Sequence, residues 1–220
     1  IQPPPAYTQH QKEAFFSACP AVEGKPYILF LGRIDPKKGV DLLIDSYRRL
    51  KEEDPALPDL VIAGPGKDSE YGKQISHPPT PGVHYPGMLQ GDAKWGAFYN
   101  CESFVLPSHQ ENFGIAVVEA LACSKPVLIS NQVNIFKEIV AANAGISAED
   151  TLAGTYELLK GWTNLNKQQK QDMQYHARRV YEQHFTIDSA ADRMLEVCRD
   201  IIRTKTHSQT TAYEISTENF

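Results

Sequence analysis

Between Tyr27 and Ala148 the chain alternates two kinds of apolar pattern. Six short runs are continuously apolar or nearly so: YILFLG at 27–32, LVIAG at 60–64, VHYPG at 83–87, SFVLP at 103–107, PVLIS at 126–130 and AGISA at 144–148. Runs of that length without a polar face read as strands. Between the first two, Val40, Leu43, Ile44, Tyr47 and Leu50 repeat at helical spacing, and shorter helices fit 91–100, 114–123 and 134–142. Parallel strands need crossover connections, which intervening helices supply. The expected fold is therefore α/β: a Rossmann-like, doubly wound parallel sheet of about six strands with helices on both faces. After Asp150 the strand pattern stops, and 151–162, 166–184 and 187–202 read as a helical C-terminal extension.

The two ends differ from this middle. Residues 1–25 mix a proline run with one aromatic cluster, Phe15 and Phe16, and read as a connecting arm. Residues 204–220 form a polar tail, expected to be extended. The last helix carries a broad apolar face from Ile187, Ala190, Ala191, Met194, Cys198 and Ile201. That face needs something to pack on: the domain's own core, a neighbouring domain, or a second copy in a dimer. The first residue is Ile1 rather than methionine, and the chain is expected to be a piece of a longer polypeptide.

Composition narrows the partners. A net charge of -5 gives none of the basic field that a nucleic-acid backbone demands, so nucleic acid is not expected as a partner. Cys19, Cys101, Cys123 and Cys198 are far apart with no CxxC pair, which suggests a reducing, cytoplasmic setting. No apolar run approaches the roughly 20 residues that cross a bilayer. The seven histidines show neither HExxH nor Cys/His ligand spacing, so no metal is expected. GxGxxG is absent after the first strand, as is GxxxxGK[ST] throughout, which removes the main support for a dehydrogenase or a P-loop enzyme.

Ligands of open parallel sheets bind outside the carboxyl ends of the strands, where the strand order reverses. Three glycine-bearing turns fall at that edge: GRIDPKKG after the first strand, GPG at 64–66 after the second and SHQENFGI after the fourth. A helix start at Gly114 offers unpaired N–H groups and the positive end of a dipole, which favour an anion. Arg33 and Lys38 add two full positive charges, and a diphosphate fits this set. A single phosphate or plain surface ion pairs are the alternatives.

Glu119 poses a sharper question. Positions 115, 118 and 122 form one helical stripe, and 119 falls on it, so a carboxylate is expected to face the interior. Burying it costs several kcal/mol or so unless a partner meets it. A carboxylate accepts both hydroxyls of a vicinal diol, such as ribose presents, and the alternative is an ion pair with a lysine or arginine of a nearby helix. Glu111, on the loop, is placed to accept further hydroxyls; its alternative is an exposed acid capping the helix start. The two glutamates would lie roughly 12 Å apart on a helix, beyond the reach that glycoside hydrolysis needs.

GRIDPKKG, LVIAGPG and LPSHQENFGIAVVEALACSKPVLIS together resemble the carboxy-terminal, donor-binding domain of GT-B fold glycosyltransferases, the retaining group numbered family 4. The similarity covers roughly 27–203, and its specific part is the Glu-x7-Glu element, Glu111 and Glu119. The resemblance implies a nucleotide-sugar-binding domain over 26–203. In it Arg33 and Lys38 would meet the donor diphosphate, Glu111 the transferred sugar and Glu119 the ribose. Gly32, Gly64 and Gly66 would border the donor, and the backbone at Phe113, Gly114 and Ile115 would cradle it. It implies no cofactor beyond the nucleotide-diphosphate sugar substrate, an acceptor glycan, lipid or small molecule bound through an amino-terminal domain, and a parent enzyme with possible peripheral membrane association. Two departures stand out: Ser124 replaces the usual glycine after the helix, and Asn131, Gln132 and Val133 replace a glycine pair after the fifth strand. Glu138 matches an acid the group places downstream. A nucleotide-sugar epimerase or a non-catalytic nucleotide-sugar-binding module would share the same grip.

Overall fold

A computed structural model describes residues 1–199 and 201 of the chain. The tail expected over 204–220 lies outside them, as do residues 202 and 203. The elements run α1 (Gln9–Ala18), β1 (Tyr27–Leu31), α2 (Val40–Glu53), β2 (Asp59–Ala63), α3 (Glu70–Ser76), β3 (Val83–Gly87), α4 (Gly91–Asn100) and β4 (Ser103–Leu106). They continue with α5 (Ile115–Ala122), β5 (Val127–Ser130), α6 (Phe136–Ala141), β6 (Gly145–Ala148), α7 (Leu152–Asn164) and α8 (Lys167–His184). Residues 187–199 are helical.

All six expected strands form, and every pairing is parallel, in the order β3-β2-β1-β4-β5-β6. β1 is the hinge of that order: it pairs Tyr27–Leu31 with Asp59–Ala63 on one side and Ile28 and Leu29 with Ser103 and Phe104 on the other. Right-handed crossovers on either side of the reversal put α2 and α3 on one face and α4, α5 and α6 on the other. α7 packs on α2, α8 on α5 and α6, and α1 on α4. With both faces covered, the central strands lose all exposure, including Tyr27, Ile28, Leu29 and Phe30 of β1 and Leu60, Val61, Ile62 and Ala63 of β2. That is why these runs show no alternation. Cys19, Cys101 and Cys123 are buried free thiols, and burial pushes those of Cys101 and Cys123 up to about 12.

Two expectations change. Residues 1–25 hold a helix rather than an arm: Thr8 caps α1 through a reciprocal box with Gln11, and Phe15 is fully buried with its ring 5.3 Å from that of Tyr27. The aromatic pair at adjacent positions hides the helical period, and burial comes from α4 and β1, which are remote in sequence. α3 was likewise not anticipated; Ser69 caps it by accepting from the N–H of Gly72. The last helix does not bury its apolar face in the domain's own core, since Ile187, Met194, Leu195, Val197 and Ile201 are all more than half exposed.

Candidate functional site

The carboxyl ends of β1 and β4, the two strands at the reversal, floor a cleft of about 490 Å³. Leu31 and Leu106 form the apolar floor; Gly32, Arg33, Lys38, Lys94, Glu111, Gly114, Ile115, Ala116 and Glu119 form the walls. Seven of the ten residues expected at the site therefore line one cleft. The other three sit differently. A Cβ on Gly64 would lie 1.9 Å from the carbonyl oxygen of Gly32, so its glycine is demanded by the crowded ends of β1 and β2. Gly66 lines a neighbouring cleft that shares Arg33 and also takes in Asp35, Ser69 and Tyr71. Phe113 stands edge-on to Phe185, with ring centroids 6.0 Å apart, and is part of neither cleft.

The loop carrying Glu111 is fixed from both sides. Ser108 donates from Oγ and His109 from N–H to the same Lys37 carbonyl, at 2.8 and 2.9 Å. Glu111 N–H donates to the Gln132 carbonyl at 3.1 Å, and Asn134 N–H donates to the Glu111 carbonyl at 3.0 Å. The segment 131–133, where the glycine pair is replaced, thus grips the backbone of Glu111 itself. These bonds hold the Glu111 side chain opposite Lys38, and the two form an ion pair. Glu138 is exposed and lies outside the cleft lining.

Helix α5 begins differently from the expected stripe. Gly114 is its N-cap in a left-handed conformation, φ 68°, with no side chain over the first N–H groups. Val118 and Ala122 face the core as expected, but Ile115 is 63% exposed on the cleft wall. The left-handed step at Gly114 starts the helix at the rim, so its first residue belongs to the cleft rather than the core. One turn in, the Glu119 side chain is 15% exposed and accepts a hydrogen bond from Lys94 Nζ at 2.7 Å. The basic neighbour on a nearby helix, one of the two partners weighed for Glu119, is present. Lys94 was missed because it sits in the polar stretch GDAK; its available signal was a cation in the first turn of α4, the positive end of a helix dipole.

The cleft can accordingly do three things chemically. Its floor accepts an apolar or planar group, its three cations and the orphan N–H groups of α5 attract an anion, and its two carboxylates accept hydroxyl protons. Among the described residues no group of three His, Cys, Asp or Glu is arranged to hold a metal ion.

Residues 11–179 match the family model described as Glycosyl transferases group 1. The chain belongs to that family. Among curated members, it is 29% identical over 207 residues to the D-inositol 3-phosphate glycosyltransferase of Jonesia denitrificans, covering 88% of this chain and 47% of that one. It is 24% identical over 187 residues to the O-antigen chain mannosyltransferase C of Escherichia coli, covering 83% and 48%. The chain spans about half or less of the length of such relatives. Its fold matches that of Anabaena HepE, solved in complex with UDP and glucose, with a TM-score of 0.71 at 17% identity over 88% of this chain and 53% of that one. It also matches the C-terminal domain of a glycosyl transferase group 1 family protein, LpcC of Francisella tularensis, with a TM-score of 0.66 at 16% identity, covering 82% of this chain and 95% of that one. A Rossmann-like domain of the Glycosyl transferases group 1 family is thus established. No helix among the described residues is long and apolar enough to cross a membrane.

Proposed function

We propose that this chain is the donor-binding half of an enzyme that moves a sugar from a nucleotide-diphosphate donor to a hydroxyl acceptor with retention of configuration. The observation that carries the reading is the meeting of Arg33, Lys38, Glu111, Gly114 and Glu119 around one cleft at the point of strand reversal, from two separate loops and the helix α5. HepE's complex with UDP and glucose supports a donor of this kind, and the match to an isolated C-terminal domain supports the assignment to one half of a longer enzyme. The acceptor then binds mainly on the other half.

In this reading the diphosphate lies against Arg33, Lys38 and the start of α5, Glu111 takes hydroxyls of the transferred sugar, and Glu119 takes the ribose diol. Binding is an exchange of partners: Lys38 turns from Glu111 to a phosphate oxygen as sugar hydroxyls reach Glu111. Charge grows on the departing diphosphate in the transition state, where fixed cations and N–H dipoles stabilise it more than in the ground state. Side-chain cations already supply that stabilisation, so the reading calls for no metal. Retention asks no side-chain base of this half, because an oxygen of the departing phosphate takes the acceptor's proton.

Calorimetric titration with uridine, guanosine and adenosine diphosphates tests the reading. One of them binds, and Arg33→Ala weakens that binding by about 1.5–3 kcal/mol, the scale of a hydrogen bond to a charged group. The thermal midpoint of the variant stays unchanged, since Arg33 is exposed. Full affinity in Arg33→Ala, or no binding of any of the three, overturns the assignment.

A further inference from the structure

Lys94 has no part in the proposed donor binding, yet it lies in the same cleft, donates to Glu119 Oε1 at 2.7 Å and has its Nζ over the ring of Trp95, 4.2 Å from the centroid. We infer that Lys94 is the positioning residue for Glu119 and sets the preference of the site for ribose over deoxyribose. The inference rests on the proposed donor reading and deepens it.

Three observations point the same way. First, a lysine in the first turn of α4 faces the positive end of that helix's dipole, an unfavourable place for a cation unless a carboxylate offsets it. Asp92 of the same turn is one such carboxylate but is exposed, and Glu119, reached from α5, is the one that meets the Lys94 ammonium. Second, both side chains are three-quarters or more buried, so the pair is poorly screened and holds one geometry. A glutamate left alone at this wall has three rotatable bonds and turns towards water. With Oε1 tied to Lys94, the lone pairs of Oε2 remain free to accept hydroxyls, and ordering the side chain costs nothing further when ligand arrives. Third, the cleft contains Arg33, Lys38 and Lys94 against Glu111 and Glu119, leaving one excess positive charge. Without Lys94 that excess is gone, and Glu119 stands unpaired beside the expected diphosphate.

A structural brace and a positioning residue differ in one respect. A brace changes stability, and affinity for every ligand alike. A positioning residue changes the discrimination that Glu119 exerts on hydroxyls of the ribose.

The test uses the 220-residue chain with whichever of uridine, guanosine or adenosine diphosphate binds it, and with the 2′-deoxy counterpart of the same base. The wild type binds the ribonucleotide about tenfold more tightly than the deoxyribonucleotide, the scale of one hydrogen bond to a charged acceptor. Lys94→Met weakens both and brings their ratio to within about threefold, as Glu119→Gln does, whereas Lys94→Arg, which keeps a cation within reach, restores the wild-type ratio. Thermal midpoints show that each variant is folded, and Lys94→Gln replaces Lys94→Met if the latter is not.

The failures are distinguishable. If the wild type binds no nucleoside diphosphate, the donor reading falls and takes this inference with it. If it binds but ignores the 2′-hydroxyl, the role given to Glu119 and hence to Lys94 falls, while the diphosphate site stands. If Lys94→Met keeps the full ratio, Lys94 is a brace and the inference alone is overturned.

Discussion

Helix α8 starts at Asn166, whose side chain accepts from the N–H of Gln169 while the Gln169 side chain accepts from the N–H of Asn166. Helix α5 starts at Gly114, in a left-handed conformation with no side chain over its first N–H groups. The same division holds elsewhere: α1 carries a capping box like α8, and α2 starts at left-handed Gly39 like α5. α8 and α1 start at exposed Asn166 and Thr8, away from the cleft, and a cap secures their first N–H groups. α5 and α2 start beside the cleft, where Lys38 and Gly114 both line the wall. A side-chain cap at such a start would occupy the groups that an anion needs. At these four helices a missing cap goes with the candidate cleft and a complete one with scaffold; α3, capped by Ser69 beside the neighbouring cleft, and α6, uncapped and away from both clefts, do not follow the division.

The largest effect expected of any break in that division comes from Gly39→Ala. The new Cβ would sit 2.2 Å from the Pro107 carbonyl oxygen, at a residue whose φ is 64°. Backbone against backbone cannot relax cheaply, so urea denaturation gives a loss of about 3 kcal/mol or more. Gly114→Asn comes next and separates fold from function. Asparagine tolerates left-handed φ, and the site is roomier, since the nearest contact of an added Cβ is Val117 Cγ2 at 3.0 Å. Stability is expected to fall by only about 1 kcal/mol. The new side chain stands over the start of α5, and calorimetry should register loss of most nucleoside diphosphate affinity. Unaltered affinity would mean that these N–H groups serve no ligand.

Asn166→Ala removes a cap on the scaffold side. It lowers stability by about 1 kcal/mol and leaves nucleotide binding as it was. The smallest effect lies at the other end of α5, where Ser124 N–H donates to the Leu121 carbonyl and Lys125 N–H to the Ala120 carbonyl, a Schellman closure with serine in place of glycine. Ser124 adopts φ 61°, in the left-handed region that favours glycine, so this departure from the family pattern bears some strain. Ser124→Gly is expected to raise stability by about 1 kcal/mol or less, because relief of strain is offset partly by a freer unfolded chain. A shift in thermal midpoint with no change in binding is the expected reading.

The central strands were legible because a strand covered on both faces has no polar side to interrupt it, and every residue of β4 and β5 is buried; the edge strands β3 and β6 are only partly buried and were placed by their short runs ending in glycine or small residues. α2 was legible for the opposite reason, since one face of it meets solvent and its apolar residues mark out the helical period. α1 was not, because Phe15 and Phe16 are adjacent and the surface that buries them belongs to α4 and β1. At the site, glycines and charges near strand ends singled out Gly32, Arg33, Lys38, Glu111 and Gly114, and an acid on an apolar helical stripe singled out Glu119. Gly64 looked the same in sequence and proved to be a packing requirement, because a turn glycine and a close-approach glycine leave the same letter. Lys94 left one faint local signal, a cation near the start of α4, and nothing in the sequence tied it to Glu119.

By itself, then, the sequence determined the six strands and most of the helices, their parallel arrangement and the edge of the sheet where the candidate site lies, and its motifs carried the resemblance to the family. The elements and the edge follow from local periodicity and from which backbone groups a loop leaves unpaired, and the resemblance from short motifs; all are written in neighbouring residues. Only the tertiary structure decided which charges face one another: Lys38 with Glu111, 73 positions apart, and Lys94 with Glu119, 25 apart. Such pairs depend on how one helix crosses another at the end of the sheet, and no short-range pattern carries that distance.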